Sequence, residues 1–360
     1  PSVIFTQIPF MRAFLFLIWS LLFVDMLALG QEKMQLQLLT SGTNTSLRGM
    51  SVPLDDVVWV SGSNGTIGKS VDGGKSWRWL TVAGLEKRDF RDIEAFDSST
   101  AIAMAVDNPA CIIKTTDGGT SWKKVFERNA EGMFLDAIDF KNEKEGICIG
   151  DPLKSKQENQ QFFYLLRTSD GGETWQEEPT SAIPVAEDGE AIFSASGTNI
   201  YFLNHSDFEY AFVTGGTVSN LHLVGRPGKK SKTVAVPMLH GKETTGIFSV
   251  ASDKEKAFYC VGGDYKVPGS NIDNYYFTID AGSNWKNATI SHPFGYRSCI
   301  QIIKGKTMVA CGTTGVDFAN NGQKEWKKIS LESFNVCMVS KGKKVFLAGE
   351  KGKIGRLFYY

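Results

Sequence analysis

The sequence predicts an all-β protein, a seven-bladed β-propeller with Asp-box turns whose ring is closed by an N-terminal strand. Three observations lead there. One short turn motif recurs along the chain at the spacing of a propeller blade. The 360 residues are rich in glycine (37) and aromatics (12%) but hold only 11 prolines. No long stretch carries a helical apolar period. High glycine with high aromatic content reads as many short strands joined by tight turns. Lys and Arg (39) balance Asp and Glu (39), which argues against a nucleic-acid binder or a membrane-surface protein.

The N-terminus reads as an address. Met11-Arg12 opens a run from Ala13 to Val24 that is apolar except for Ser20, and Asp25 interrupts it. A basic start, a short apolar core and the small residues Ala28 and Gly30 before Gln31 make a secretory signal peptide. The run falls short of the ~20 apolar residues a span needs. No Cys follows it, which argues against a lipoprotein. Residues 1–30 are thus read as an N-terminal extension and signal peptide, and 31–360 as a single propeller. The mature protein is expected to be secreted or periplasmic, monomeric and without a membrane span or nucleic-acid partner.

The turn motif appears four times: Ser70-Val-Asp-Gly-Gly-Lys-Ser-Trp77, Thr115-Thr-Asp-Gly-Gly-Thr-Ser-Trp122, Thr168-Ser-Asp-Gly-Gly-Glu-Thr-Trp175 and Thr278-Ile-Asp-Ala-Gly-Ser-Asn-Trp285. In the pattern S/T-x-D-x-G-x-x-W, the carboxylates of Asp72, Asp117, Asp170 and Asp280 can accept from turn N–H groups, and the glycine can take positive φ. Each Trp begins the next strand and is expected to bury its indole. The Asp spacings are 45, 53 and 110 residues, the last being two periods. Periods of 40–50 residues indicate propeller blades. Worn copies are expected at Phe212–Val218 and at Asn320–Trp326.

Upstream of the turns, seven openings count the blades: Ser46–Val52, Phe90–Phe96, Phe134–Phe140, Asp188–Phe193, Thr244–Val250, Tyr296–Ile300 and Ser333–Val339. The last unit has three strands of its own, and Met34 to Thr40 is expected to supply the fourth and leave no open edge.

The repeated box resembles the Asp-box (bacterial neuraminidase) repeat. Its spread over the mature chain resembles the photosystem II stability/assembly factor family of seven-bladed propellers and their secreted bacterial relatives. Phe90-Arg-Asp-Ile93, Ile149-Gly-Asp-Pro152, Gly189-Glu-Ala191 and Gly295-Tyr-Arg-Ser298 resemble a Bacteroidota subgroup often labelled "oxidoreductase". No GxGxxG, CxxC or haem motif supports that label. The box specifies a fold, and sialidases, sortilin-like receptors and assembly factors all use it.

Aligning the openings places Arg48, Asp92, Asp136, Glu190, Gly246, Arg297 and Asn335 in one column at the channel mouth. Asp107, Asp151, His205, Asp264, Thr313 and Glu350, at second-strand ends, join the same face. Three long insertions (151–161, 226–242 and 264–275) are expected to rise there as well. Arg48, Asp92, Asp136, Asp151, Glu190, Asp264, Arg297 and Asn335 are therefore the ligand-binding candidates. No catalytic set is complete: the sialidase arginine cluster and Tyr/Glu pair are not assembled. A glycosidase would need two of the acids facing one another across the channel. The four His residues lack metal-ligand spacing, and neither metal nor cofactor is expected. Asn44, Asn64, Asn204 and Asn287 match N-x-S/T.

Cys111, Cys148, Cys260, Cys299, Cys311 and Cys337 lie in apolar strand-like runs and read as buried thiols. Cys299 and Cys311 could face each other across a hairpin, where a bond would be strained. The resulting expectation is an exported binding or assembly propeller with a protein, peptide or glycan ligand. The alternative is a secreted, sialidase-like carbohydrate hydrolase.

Overall fold

Short, β-branched and aromatic-rich segments punctuated by glycine turns form seven antiparallel sheets in the computed structural model, which describes residues 34–40, 42–154 and 160–359. The sequence's reading of an all-β, seven-bladed propeller holds. Blades 1, 2, 3 and 6 each run inner to outer in chain order, as in Leu47–Ser51, Val58–Gly62, Thr66–Ser70 and Arg78–Thr81 of blade 1. Middle strands such as Val58–Gly62, Ala101–Ala105 and Val345–Ala348 are buried along their whole length. Outer strands such as Lys123–Arg128 are half exposed. That gradient follows from stacking: a middle strand has a neighbouring blade on both faces, so both faces must be apolar.

The core accordingly lies between consecutive blades. Trp59, Ile67, Ile93, Ala103 and Ile113 fill the space between blades 1 and 2, and Ile102, Met104, Ile138, Cys148 and Leu166 that between blades 2 and 3. Each fully buried Ile or Leu contributes about 1.5–3 kcal/mol. Trp59 satisfies its buried indole by donating to the Asp97 carbonyl at 2.9 Å.

The Asp boxes turn as their chemistry requires. Asp72 Oδ1 accepts from the N–H groups of Lys75 and Ser76, each at 2.9 Å, and from the Ser70 hydroxyl at 2.8 Å. Asp117, Asp170 and Asp280 accept from the turn N–H groups of Ser121, Thr174 and Asn284 in the same way. Gly73 and Gly74 take φ of 73° and 86°, the left-handed region. In the fourth box Ala281 tolerates φ of 53° where the others have glycine. Donors from the Ser76 hydroxyl and N–H hold the Asp72 carboxyl down at about 2.

Four expectations need correction. Only Trp175 is buried (8% exposed); Trp77, Trp122 and Trp285 are half-buried. They sit at the start of the outer strand, where Trp122 and Trp285 pack on the preceding blade; Trp77 instead stacks on Trp79 at 5.3 Å. The inner strand of blade 4 is Ile200–Phe202, while Glu190–Ala191 joins the sheet of blade 5 through Gly215–Gly216. The third-to-fourth strand turn of blade 4, where an Asp box would fall, is residues 226–231, and the segment around 212–218 is the turn before it. His205 lies between Ile200–Phe202 and Phe208–Val213, at the box end and away from the mouth. The worn copy at Asn321 keeps a buried tryptophan, Trp326 (1% exposed).

Blade 7 is ordered Val336–Val339, Val345–Ala348, Ile354–Tyr359 and then Met34–Thr40, so the first described strand is the outermost strand of the last sheet. Blades 1 and 7 also meet directly: Leu47 N–H donates to Gly349 O (3.1 Å), and Asn335 Nδ2 donates to Leu47 O (2.9 Å).

Candidate functional site: the mouth of the central channel

The inner strands share one irregularity that sets what the mouth displays. In blade 1, Leu47 pairs with Gly62 and Gly49 with Ser61, leaving Arg48 as an extra residue. Blades 2, 3 and 5 bulge alike at Arg91, Asp136 and Phe248. A bulge inserts one residue and re-aims its side chain. The equivalent column is therefore Arg48, Arg91, Asp136 and Phe248, whereas the sequence alignment placed Asp92 and Gly246 in it. Slipping by one residue moves a side chain to the other face, which is why Asp92 points into the interblade packing.

Arg48, Arg91 and Phe248 line a half-open cavity of about 360 Å³, with Phe193, Tyr265 and Tyr296. Phe193 and Phe248 stack at 3.9 Å, and Tyr296 meets Phe248 edge-on at 4.7 Å. Arg91 Nε donates to Asp89 at 2.7 Å and its Nη1 reaches the Ser194 carbonyl at 3.3 Å. Arg48 makes no ion pair among the described residues. Burial, and then the neighbouring Arg91 guanidinium, lower its pKa from the usual arginine range, with Asp89 and Glu350 opposing. Two guanidinium groups beside an aromatic wall can hold an anionic group that carries an apolar neighbour.

The sequence candidates divide sharply. Arg48 and Asn335 line the cavity, as do Thr313 and Glu350. Asp92 is 2% exposed, and its carboxylate accepts from the N–H groups of Ile93 and Ile138 at 2.8 Å each, tying blade 2 to blade 3. Asp136 is fully buried; desolvation and Asp151 push its carboxyl well up, while Arg91 and nearby backbone N–H groups pull it back. Glu190 is buried against His222 (2.8 Å), with Asn220 and Thr214 also donating to it. Arg297 is fully buried: Nε donates to Asp317 at 2.6 Å, and Nη1 to the Tyr296 carbonyl and Thr314. Asp151 accepts from Ile192 N–H, and burial raises its carboxyl to about 6. Asp264 is 6% exposed and accepts from Lys266 N–H.

The structure thus does not gather Asp92, Glu190 and Arg297 into the mouth, and Asp136, though it holds the bulge position, is buried and does not line the cavity. The sequence reading passed over Phe193, Phe248, Tyr265 and Tyr296, and did not place Arg91 among the binding candidates. An alignment of the openings that allowed an inserted residue would have found Arg91 and Phe248.

The description "Photosynthesis system II assembly factor YCF48" matches residues 31–131 of this chain. The curated "Photosystem II assembly lipoprotein Ycf48" of Synechococcus sp. (strain CC9902) is 27% identical over 162 residues, 45% of this chain and 44% of that protein. The chain therefore aligns with less than half the length of that relative. Among solved structures, "YCF48 bound to D1 peptide" superposes with a TM-score of 0.58 at 16% identity, covering 91% of this chain and 97% of the other. YCF48 from Cyanidioschyzon merolae gives a TM-score of 0.62 at 14% identity, covering 89% and 98%. The chain has the fold of these propellers, and its residues 31–131 resemble the assembly-factor family.

In this propeller the two-carboxylate glycosidase geometry is not assembled from the acids the sequence offered. Two catalytic carboxylates must face one ligand space, yet Asp92, Asp136 and Glu190 lie under the channel wall, and none of them lines the cavity. Among the described residues no group of His, Cys, Asp or Glu is placed to hold a metal ion, and no helix is long and apolar enough to cross a membrane. The expected signal peptide lies outside the described residues.

Proposed function

We propose that this chain is an exported, non-catalytic binding propeller that takes up a segment of a partner protein at the channel mouth. The observation that carries the reading is the pairing of Arg48 and Arg91 with the Phe193–Phe248–Tyr296 wall in one half-open cavity. The solved propeller bound to a D1 peptide has the same fold, which supports a peptide as the ligand. The insertion next to the mouth extends the apolar surface: Tyr265, Val267 and Ile272 are 42%, 55% and 64% exposed. A polypeptide suits such a surface, since the arginines take a carboxylate and the ridge takes its apolar neighbours. Removal of residues 1–30 on export is part of the same proposal, and N-terminal sequencing of the mature protein tests it.

The binding test is fluorescence anisotropy with a labelled D1 peptide and a panel of acidic and neutral peptides of equal length. At least one acidic peptide is expected to bind, with affinity falling as salt rises. Arg48→Gln and Arg91→Gln should each weaken it about tenfold or more, as loss of a charge-assisted bond implies. Unchanged affinity in both variants, or equal binding of the neutral peptides, would refute the mouth as the site.

A further inference from the structure

Three of the six cysteines stand apart from the rest. Cys111, Cys148 and Cys260 each sit singly in an apolar cluster between blades. Cys299, Cys311 and Cys337 instead converge where blades 6 and 7 meet. Cys299 begins the inner strand of blade 6, Cys299–Lys304, and lies directly opposite Cys311 on the next strand. Cys337 lies on Val336–Val339, the inner strand of blade 7. The Cys337 S–H donates to the Cys299 sulfur at 3.6 Å, and the Cys299 sulfur is 3.3 Å from the Cys337 carbonyl oxygen. All three thiols are fully buried.

We propose that Cys299 and Cys337 form an oxidisable pair whose disulfide ties blade 6 to blade 7. A disulfide needs its sulfurs about 2.05 Å apart, with Cβ atoms about 3.5–4.5 Å apart. From 3.6 Å that is a side-chain adjustment between two inner strands that belong to different sheets and share no strand ladder. Cys311 is the poorer partner, because it faces Cys299 across one hairpin whose backbone hydrogen bonds fix the separation.

The oxidant is a small disulfide. The thiolate of Cys299 attacks one sulfur of that disulfide, releasing one small thiol and leaving a mixed disulfide on Cys299. The thiolate of Cys337 then displaces the second small thiol and forms the Cys299–Cys337 bond. Two protein thiols thereby lose two protons and two electrons, and one small disulfide becomes two thiols. Burial makes the native reaction slow, so the bond forms during folding or when the ring opens.

The link has a consequence at the mouth. Ser298, beside Cys299, donates its hydroxyl to the Asn335 carbonyl at 2.7 Å, and both residues line the cavity. Oxidation therefore fixes the floor of the cavity where blades 6 and 7 adjoin.

The test refolds the full chain in oxidised glutathione and in reducing buffer, followed by alkylation in denaturant, intact mass and peptide mapping. Expected are four alkylated cysteines instead of six, a Cys299–Cys337 cross-linked peptide, and a melting temperature raised by a few degrees over the reduced protein. C299S and C337S should lose both the cross-link and the shift, while C311S keeps them. C337A repeats the test should C337S fail to fold. Six alkylated cysteines after oxidation, or a bond mapping to Cys299–Cys311 that survives in C337S or C337A, would overturn the proposal.

Discussion

Buried charge in this chain is managed one residue at a time, and the two signs are treated differently. Arg297 consumes its charge on Asp317, and Glu190 on His222. Asp139 has no ion pair among the described residues; it accepts from Phe202 N–H at 2.7 Å, and burial raises its carboxyl from 3.8 to about 6. Its charge in turn raises the neighbouring Asp92 and Glu94 carboxyls, adding to their own burial. Because the folded state holds this proton more tightly than the unfolded chain does, stability falls as pH climbs from about 4 to about 6 and stays lower above. Asp139→Asn keeps an oxygen for Phe202 N–H and removes the charge. The variant should melt higher than wild type at pH 8, by at most about 2–3 kcal/mol of stability, and the gain should vanish near pH 4. Melting curves across that range check it; an advantage independent of pH would refute the electrostatic account. That an arginine and an amide stand at the mouth was readable from sequence, but the aromatic wall, and which of two adjacent residues faces the cavity, were not. The bulges at Arg48 and Arg91 decide that, and nothing in Phe90-Arg-Asp-Ile93 marks an inserted residue.

The Asp box works as an element by serving two blades. Within its own blade it closes the outer hairpin. It is also clasped by the preceding blade, since Lys69 donates to the Gly118 carbonyl at 2.8 Å and Lys114 to that of Gly171 at 2.9 Å. The box itself was legible because its Asp, Gly and Trp are each required by the turn. The lysine clasp was not, because a Lys before the box's Ser or Thr looks like any solvated strand residue. Burial at the tryptophans grades the expected effects. Trp175→Ala, which empties a buried site packed on Phe140 at 6.0 Å, should cost about 3–5 kcal/mol. Trp77→Ala and Trp122→Ala, at half-buried positions, should cost clearly less. Thermal or urea melts rank the three, and equal losses would show that the indoles do not act through burial.

At the scale of the whole molecule, the count of seven blades came from the openings even though one opening was assigned to the wrong sheet. The period survived because blade 4 kept its length while losing its box. Met34–Thr40 occupies the outer position of the last sheet, so the first and last described strands lie side by side in one blade. A chain beginning after residue 40 should melt well below the full chain, and adding the missing strand as a separate peptide should recover part of the loss. An unchanged melting curve would mean that the contacts of Leu47 with Gly349 and Asn335 suffice to hold blades 1 and 7 together.

Blades 4 and 5 are not separable in the way the others are. Glu190–Ala191 leaves blade 3, pairs with Gly215–Gly216 in the sheet of blade 5, and only then does the chain build blade 4. The crossing is close: a Cβ on Gly215 would come within 2.7 Å of the Gly246 Cα, and Gly246 itself has φ of 146°. New chain ends for a circular permutant, or a break point for split-protein reassembly, therefore belong in the connection between blades 1 and 2 or 2 and 3. Opened between blades 4 and 5, the chain would have to rethread a strand already woven into its neighbour. A lineage that gains or loses blades by duplication would be expected to add or drop this pair together.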